Sequence, residues 1–279
     1  MPEIAFVNDV FLPLSEARVS VEDRGFQFGD GVYELLRVYA GVPFHLTAHL
    51  GRLEQSARAL GIPLPYPRER WTAVIAEAIS RSGFPDAKIY IQVTRGVAPR
   101  DHVPAGPMAP TVVVTVRAMA PSDPALYANG VDVVTIADIR WARCNIKSIG
   151  LLANVLAKQQ AREQGAQEAL FVRDGCVLEG ATSNVMIVRK RCLITPPEGP
   201  LLLPGVTRRV VLGLAQEAGV AVTEQAVTEA ELYAADEVFL TGTTIEILPV
   251  VRVNSRPIGA GTPGPVTKLL MARFREARG

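Results

Sequence analysis

Along the first 118 residues the apolar positions switch between a spacing of two and a spacing of three to four, and after a break the switching starts again. A chain patterned this way folds as strands interleaved with helices, and the restart calls for a second domain. Residues 4–14 and 32–44 read as strands, the latter bending at Ala40-Gly41. Over residues 45–60, Leu46, Leu50, Leu53, Ala57 and Leu60 form one helical face that Gly61 ends. A second helix over 68–82 buries Trp71, Val74, Ile75, Ala78 and Ile79 and stops at Gly83. Strands over 88–94 and 111–117 flank a Pro- and Gly-rich loop, 96–110, of a length that usually serves a function. Residues 119–130 (MAPSDPALYANG) read as an unpatterned linker.

Beyond that linker the spacing predicts a strand over 131–141, a helix over 151–164 closed by Gly165, and strands around Leu170, Val177 and Val185. A helix from about Thr207, a strand over 237–241, a hairpin over 247–258 and a terminal helix complete it. The expected fold class is α/β (α+β) in two domains, 1–118 and 131–279, joined by the linker 119–130, with a cleft between them.

Composition narrows the function. With 29 basic and 28 acidic residues the formal net charge is +1, which argues against a nucleic-acid partner. No run approaches the roughly 20 apolar residues that span a bilayer, and Met1 to Asp9 lacks the pattern of a signal peptide. Cys144, Cys176 and Cys192 have no pairing or metal-ligand spacing, so a cytoplasmic protein is expected. Phosphate-loop, dinucleotide and nucleophile-elbow motifs are absent. His45 and His49 stand four apart on one helix without a third ligand nearby, so they read as cap and rim residues and no metal is expected.

Only five lysines are present: Lys88, Lys147, Lys158, Lys190 and Lys268. Lys147 stands apart, in a short polar connection (RWARCNIKS) between an apolar strand and a helix, where an amine nucleophile could be held. Glu179 ends an apolar strand and precedes Gly-Ala-Thr-Ser-Asn. Its carboxylate either binds turn amides or pairs with a cationic ring nitrogen. Gly205-Val206-Thr207-Arg208 opens a helix whose first amides suit an anion, and Thr241-Gly242-Thr243-Thr244 ends a strand with three hydroxyls. A plain cap and a plain turn explain these two equally well.

Together the segments say more. EDRGFQFGDGVYE (22–34), VTRGVAPRDH (93–102), DIRWARCNIKS (138–148), EGATSN (179–184), GVTR (205–208) and LTGTTIEI (240–247) resemble, in order and separation, the fold-type IV pyridoxal-phosphate-dependent aminotransferases over essentially the whole chain. The pattern is similar to the branch that acts on D-amino acids. The resemblance implies a cofactor, pyridoxal 5'-phosphate, in the interdomain cleft and a Schiff base on Lys147. It implies Glu179 at the pyridine nitrogen, Arg52, Val206, Thr207 and Thr243 at the phosphate, and Arg140 near the cofactor hydroxyl. Tyr33 with the Arg100-x-His102 pair would grip the substrate carboxylate. The pair would come from the neighbouring subunit of a homodimer.

The implied reaction moves an amino group between a D-amino acid such as D-alanine and a 2-oxo acid such as 2-oxoglutarate. Branched-chain L-aminotransferases carry a tyrosine five residues after the lysine, where this chain has Leu152, and lack the Arg-x-His pair. An aminodeoxychorismate lyase shares fold and lysine but needs no 2-oxo acid. A cofactor-binding protein without turnover would have no use for lysine, acid and carboxylate grip together.

Overall fold

Residues 3–104 and 106–279 are described in the computed structural model. Met1 and Pro2 of the N-terminal stretch, and Ala105 of the 96–110 loop, lie outside the described residues. The chain divides into two compact units. The first comprises the residues up to Ala120 plus Ile146–Leu151, and the second Pro121–Asn145 plus Leu152–Gly279.

The first unit is a six-stranded antiparallel sheet in the order Val10–Pro13, Ile4–Val7, Thr111–Ala118, Ala87–Thr94, Gly31–Tyr39, Val42–Pro43. Strict alternation buries Ala87, Ile89, Ile91 and Val93 on one face, and Val112, Val114 and Val116 join them from the next strand. Helices Leu46–Ala59 and Arg68–Ser82 pack their apolar stripes into the same core. The second helix has the bounds that its periodicity predicts, and Gly83 ends it in the left-handed conformation at φ 66°.

Two features of this unit depart from the sequence reading. The expected strand over 4–14 is a hairpin, because Asn8 and Asp9 take φ of 45° and 72° and turn the chain back. A short helix, Arg24–Phe28, lies where no element was expected. Asp23 caps it by accepting from the Gly25 amide at 2.8 Å, and Gly29 closes it at φ 67°.

The second unit carries a ten-stranded mixed sheet. Its path runs Val222–Glu224, Cys192–Thr195, Asn184–Arg189, Glu237–Gly242, Glu246–Val253, Val131–Ala137, Glu168–Arg173, Cys176–Gly180, Val227–Thr228, with Arg256–Pro257 paired to Glu246–Val253. Strands Val131–Ala137 and Glu168–Arg173 are parallel and joined through helix Leu152–Glu163, a β-α-β crossover. The strand predicted over 131–141 stops at Ala137, since Asp138 and Arg140 are already engaged by side chains. Within the expected linker, residues Pro124–Asn129 form a helix of the second unit. Asp123 caps it and Pro124 opens it, both ordinary helix-start residues. Among the described residues no helix is long and apolar enough to cross a membrane.

Candidate active site

Lys147 sits in the connection that leaves the carboxyl end of strand Val131–Ala137 on the way to helix Leu152–Glu163. In open α/β sheets such connections are where ligands are met. Here the connection makes an excursion into the first unit. Ile146 is buried in that unit's core, and Ser148 forms a bridge with Val32. The Tyr33 amide donates to the Lys147 carbonyl at 3.0 Å, the Ile149 amide to Gly31 at 3.1 Å, and the Lys147 amide to Ser56 Oγ at 3.1 Å. The segment thus pairs with the exposed edge at the start of strand Gly31–Tyr39. Its amine is delivered to Tyr33: Lys147 Nζ lies 4.1 Å from the centre of that ring. Tyr90, 5.6 Å from Tyr33 ring to ring, is pushed up to about 12 by its burial and by Tyr33, so it stays a neutral phenol.

Helix Leu46–Ala59 has a second stripe beside its apolar one. His49, Arg52 and Ser56 are buried at helical spacing. Arg52 holds Glu34 with two bonds, Nε to Oε1 at 2.7 Å and Nη2 to Oε2 at 2.9 Å, and His49 Nδ1 lies 2.8 Å from Oε2. Burial alone would raise the Glu34 carboxyl, but Arg52 and His49 outweigh it and hold it at about 2. Burial lowers His49 below the usual imidazole range. Glu34 opposes that shift, while Arg52 and Lys147 add to it. His45 is an exposed cap as expected, at φ 51°. His49 is not the rim residue that its spacing suggested. It is enclosed because Glu34, on the helix-facing side of the strand, needs a second donor.

In the second unit Glu179 is buried on strand Cys176–Gly180. Arg140 Nη1 donates to its Oε1, while Asn184 Nδ2 at 3.2 Å and the Leu203 amide at 3.0 Å donate to Oε2. Arg140 is itself gripped by Asp138, through Nε at 2.9 Å and Nη2 at 3.1 Å, and lies 4.1 Å over the Phe171 ring. Burial works against its charge, but Asp138 and Glu179 outweigh it and hold the guanidinium protonated. Arg140 therefore meets Glu179 directly, a contact the sequence did not suggest. Cys144 gives its thiol to the Trp141 carbonyl at 3.1 Å, and burial pushes that thiol up, away from thiolate chemistry.

Asn184 also ties Glu179 to the next helix. Its Nδ2 reaches the Leu203 carbonyl at 2.9 Å, and a Cβ on Gly205 would lie 2.0 Å from its Oδ1. Gly205 is thus required by close approach, and it opens helix Val206–Glu217 without any side-chain cap bond. The buried Val206 and Thr207 start that helix, Arg208 beside them is buried and bound to Glu224 at 2.6 Å, and Thr243 follows in the turn after strand Glu237–Gly242. Thr241 Oγ1, in register with Asn184, is buried with no hydrogen-bond partner among the described residues. First-turn amides without a cap and an unpaired hydroxyl suit a bound anion.

Arg100 and His102 are exposed in the 96–110 loop of the first unit. Both face one ring: the Arg100 guanidinium lies 4.5 Å from the centre of Phe28, and the His102 ring 5.4 Å from it. Glu34, His49, Asp138 and Asn184, which bind Arg52, Arg140 and Glu179, were not singled out for these contacts in the sequence. A polar residue inside an apolar helical or strand pattern is the signal that could have found the first two. Among the described residues no group of three or more His, Cys, Asp or Glu could hold a metal ion.

Each unit carries donor chemistry of a kind that pyridoxal phosphate can use: a primary amine and a buried guanidinium in the first, a buried carboxylate and an uncapped helix start in the second. The amino-transferase class IV family model matches residues 31–253. The chain belongs to that family. A D-alanine aminotransferase of Bacillus licheniformis is 44% identical over 271 residues, covering 97% of this chain and 95% of the relative. One of Staphylococcus haemolyticus is 38% identical over 97% and 96%. In structure the chain is similar to a T.th. branched-chain amino acid aminotransferase with pyridoxamine 5'-phosphate, with a TM-score of 0.93 and 30% identity over 100% of this chain and 94% of that one. The Escherichia coli branched-chain enzyme gives a TM-score of 0.91 with 29% identity over 99% and 94%. The fold is thus that of the fold-type IV aminotransferases.

Glu34→Gln is expected to destabilise the protein by about 3–5 kcal/mol near neutral pH, because it leaves Arg52 buried against a neutral amide. The carboxyl lies below its ordinary 4.5 in the folded state, so its contribution is present above that value and is lost as pH falls towards about 2. Urea unfolding of both proteins should show the gap shrinking across that window. A gap that stays constant with pH would contradict the ion-pair account.

Proposed function

We propose that this aminotransferase uses pyridoxal 5'-phosphate to move amino groups between D-amino acids, such as D-alanine, and 2-oxo acids, such as 2-oxoglutarate. The observation that carries the D-specific reading is the convergence of Arg100 and His102 on Phe28, two cationic or donor groups turned to one side as a carboxylate requires. The D-alanine aminotransferases to which the chain is similar support it. The branched-chain reading has the structural likeness in its favour, but it lacks its tyrosine, since Leu152 is an exposed residue at the start of a helix.

When bound, the cofactor supplies a conjugated ring that accepts the electron pair left on the substrate's Cα. Lys147 would hold it through its amine and, once that amine is free, would serve as the base for the substrate's α-proton and then as the acid that gives the proton back. Glu179 keeps a proton on the ring nitrogen, and its own position is fixed by Arg140, Asn184 and the Leu203 amide. Arg52, the amides of Val206 and Thr207 and the Thr243 hydroxyl hold the phosphate, while Arg140 also serves the ring hydroxyl. Tyr33, Arg100 and His102 hold the α-carboxylate.

Exposed apolar residues lie in the 96–110 loop and on the helix tied to it, with Val103 and Phe26 each 74% exposed. A homodimer would bury them, with Arg100 and His102 serving the partner's site. A cytoplasmic setting suits the three free thiols.

Borohydride reduction of the yellow holoenzyme should fix the cofactor to the peptide containing Lys147. Labelling at Lys88, Lys158, Lys190 or Lys268 would sink the assignment. The shared grip can be tested by mixing two crippled variants, Lys147→Ala and Arg100→Ala. If Arg100 serves the partner's site, hybrid dimers own one intact site, and at low D-alanine statistical mixing should restore about a quarter of wild-type activity. No recovery on mixing would place Arg100 at its own subunit's site.

A further inference from the structure

The segment EDRGFQFGDG (22–31) is left without a task by the reaction, yet it holds the least expected charge of the first unit. Arg24 is only 4% exposed. Its Nε donates to Asp30 Oδ2 at 2.8 Å, and its two terminal nitrogens reach the loop: Nη1 donates to the Asp101 carbonyl at 2.5 Å and Nη2 to the His102 carbonyl at 3.0 Å. The guanidinium thus clasps two successive carbonyls beside Arg100 and at His102. Its carbon also lies 4.9 Å from the centre of Phe28, the ring that Arg100 and His102 face.

The surroundings hold Arg24 in turn. Asp30 accepts from Arg95 at 2.7 and 3.0 Å, and Arg95 donates onward to the carbonyls of Leu60 and Gly61 at 2.8 and 3.1 Å. The Arg24 amide donates to Gly96 at 2.9 Å, the Ala98 amide to Glu22 at 3.2 Å, and Arg100 Nη1 to the Gln27 carbonyl at 3.2 Å. Among the described residues the 96–110 loop has no helix and no strand beyond a single bridge between Val97 and Asp23, so these ties do much of the ordering that a longer ladder would do. A planar fork can hold two carbonyls at fixed separation, and a lysine cannot.

We infer that Arg24 is a positioning residue for substrate binding: by clasping the carbonyls of Asp101 and His102 it fixes the backbone from which Arg100 and His102 reach the substrate's α-carboxylate. The inference rests on the assignment of that pair to the carboxylate.

The test uses holoenzyme carrying Arg24→Lys, which keeps a cation and an apolar stem but loses the fork. Propionate, a carboxylate that cannot react, should bind at least about tenfold more weakly, and KM for D-alanine should rise as much. Both kcat and affinity for pyridoxal phosphate should stay within about threefold of wild type. In an Arg100→Ala/His102→Ala background the same change should cost less than about twofold, since no grip remains to misplace. Equal loss in that background, or a parallel fall in kcat and cofactor affinity, would show that Arg24 merely holds the fold and would overturn the inference. If Arg24→Lys does not yield folded protein, Asp30→Asn loosens the guanidinium from its other side and must give the same split between KM and kcat. Arg100→Ala that leaves propionate binding unchanged removes the carboxylate assignment, and this inference with it. Arg100→Ala that weakens propionate while Arg24→Lys does not would overturn the inference alone.

Discussion

The site depends on how a few backbone hydrogen bonds hold Lys147. A connection between a strand and a helix of the second unit pairs with the edge of the first unit's sheet, through Tyr33 to Lys147 and Ile149 to Gly31, with Ile146 anchored in the core. Sheet pairing fixes the position of a main chain far more tightly than a surface loop would. The lysine amine inherits that order, and the ring of Tyr33 receives it. The proposed role of Lys147 needs this restraint, because small misplacements of a reacting group are costly in rate.

A second device recurs around it. Arg52 is set by Glu34, Arg140 by Asp138 and Glu179, and Arg24 by Asp30. In each case a buried or nearly buried guanidinium is fixed by a carboxylate, leaving its planar fork at a defined angle. Burying such charges costs desolvation, and pairing offsets that only when the geometry is good. The benefit lies in pre-organisation: each guanidinium is held in place before any ligand arrives. An arginine-rich chain also leaves few competing amines, and Lys147 is the one built into a sheet edge.

Much of this could be read from residues alone. Helix Arg68–Ser82 was legible because its apolar steps of three and four are unbroken and a glycine ends it. Lys147, Glu179 and the Arg100-x-His102 pair were singled out because several short motifs occur in order, and their roles stay proposals. What escaped was chemistry hidden inside regular patterns. The apolar stripe of helix Leu46–Ala59 masked the adjacent stripe of His49, Arg52 and Ser56, whose purpose appears only once Glu34 and Lys147 stand opposite. The return of Ile146–Leu151 to the first unit is a long-range pairing with no local signature. Arg24 carried no local signal because its partners are carbonyls some seventy-seven residues on. The hairpin at Asn8-Asp9 and the helix after Asp123 were missed although their turn and cap residues are ordinary signals.

Stereochemistry tests the central claim most directly. The holoenzyme would be supplied with 2-oxoglutarate and the D and L forms of alanine, leucine and valine in turn, and the glutamate formed would be resolved by enantiomer. The account predicts turnover with D-alanine, production of D-glutamate, and little or no reaction with L-leucine or L-valine. Brisk turnover of L-leucine or L-valine to L-glutamate, with D-alanine inert, would contradict it and give the site to branched-chain substrates.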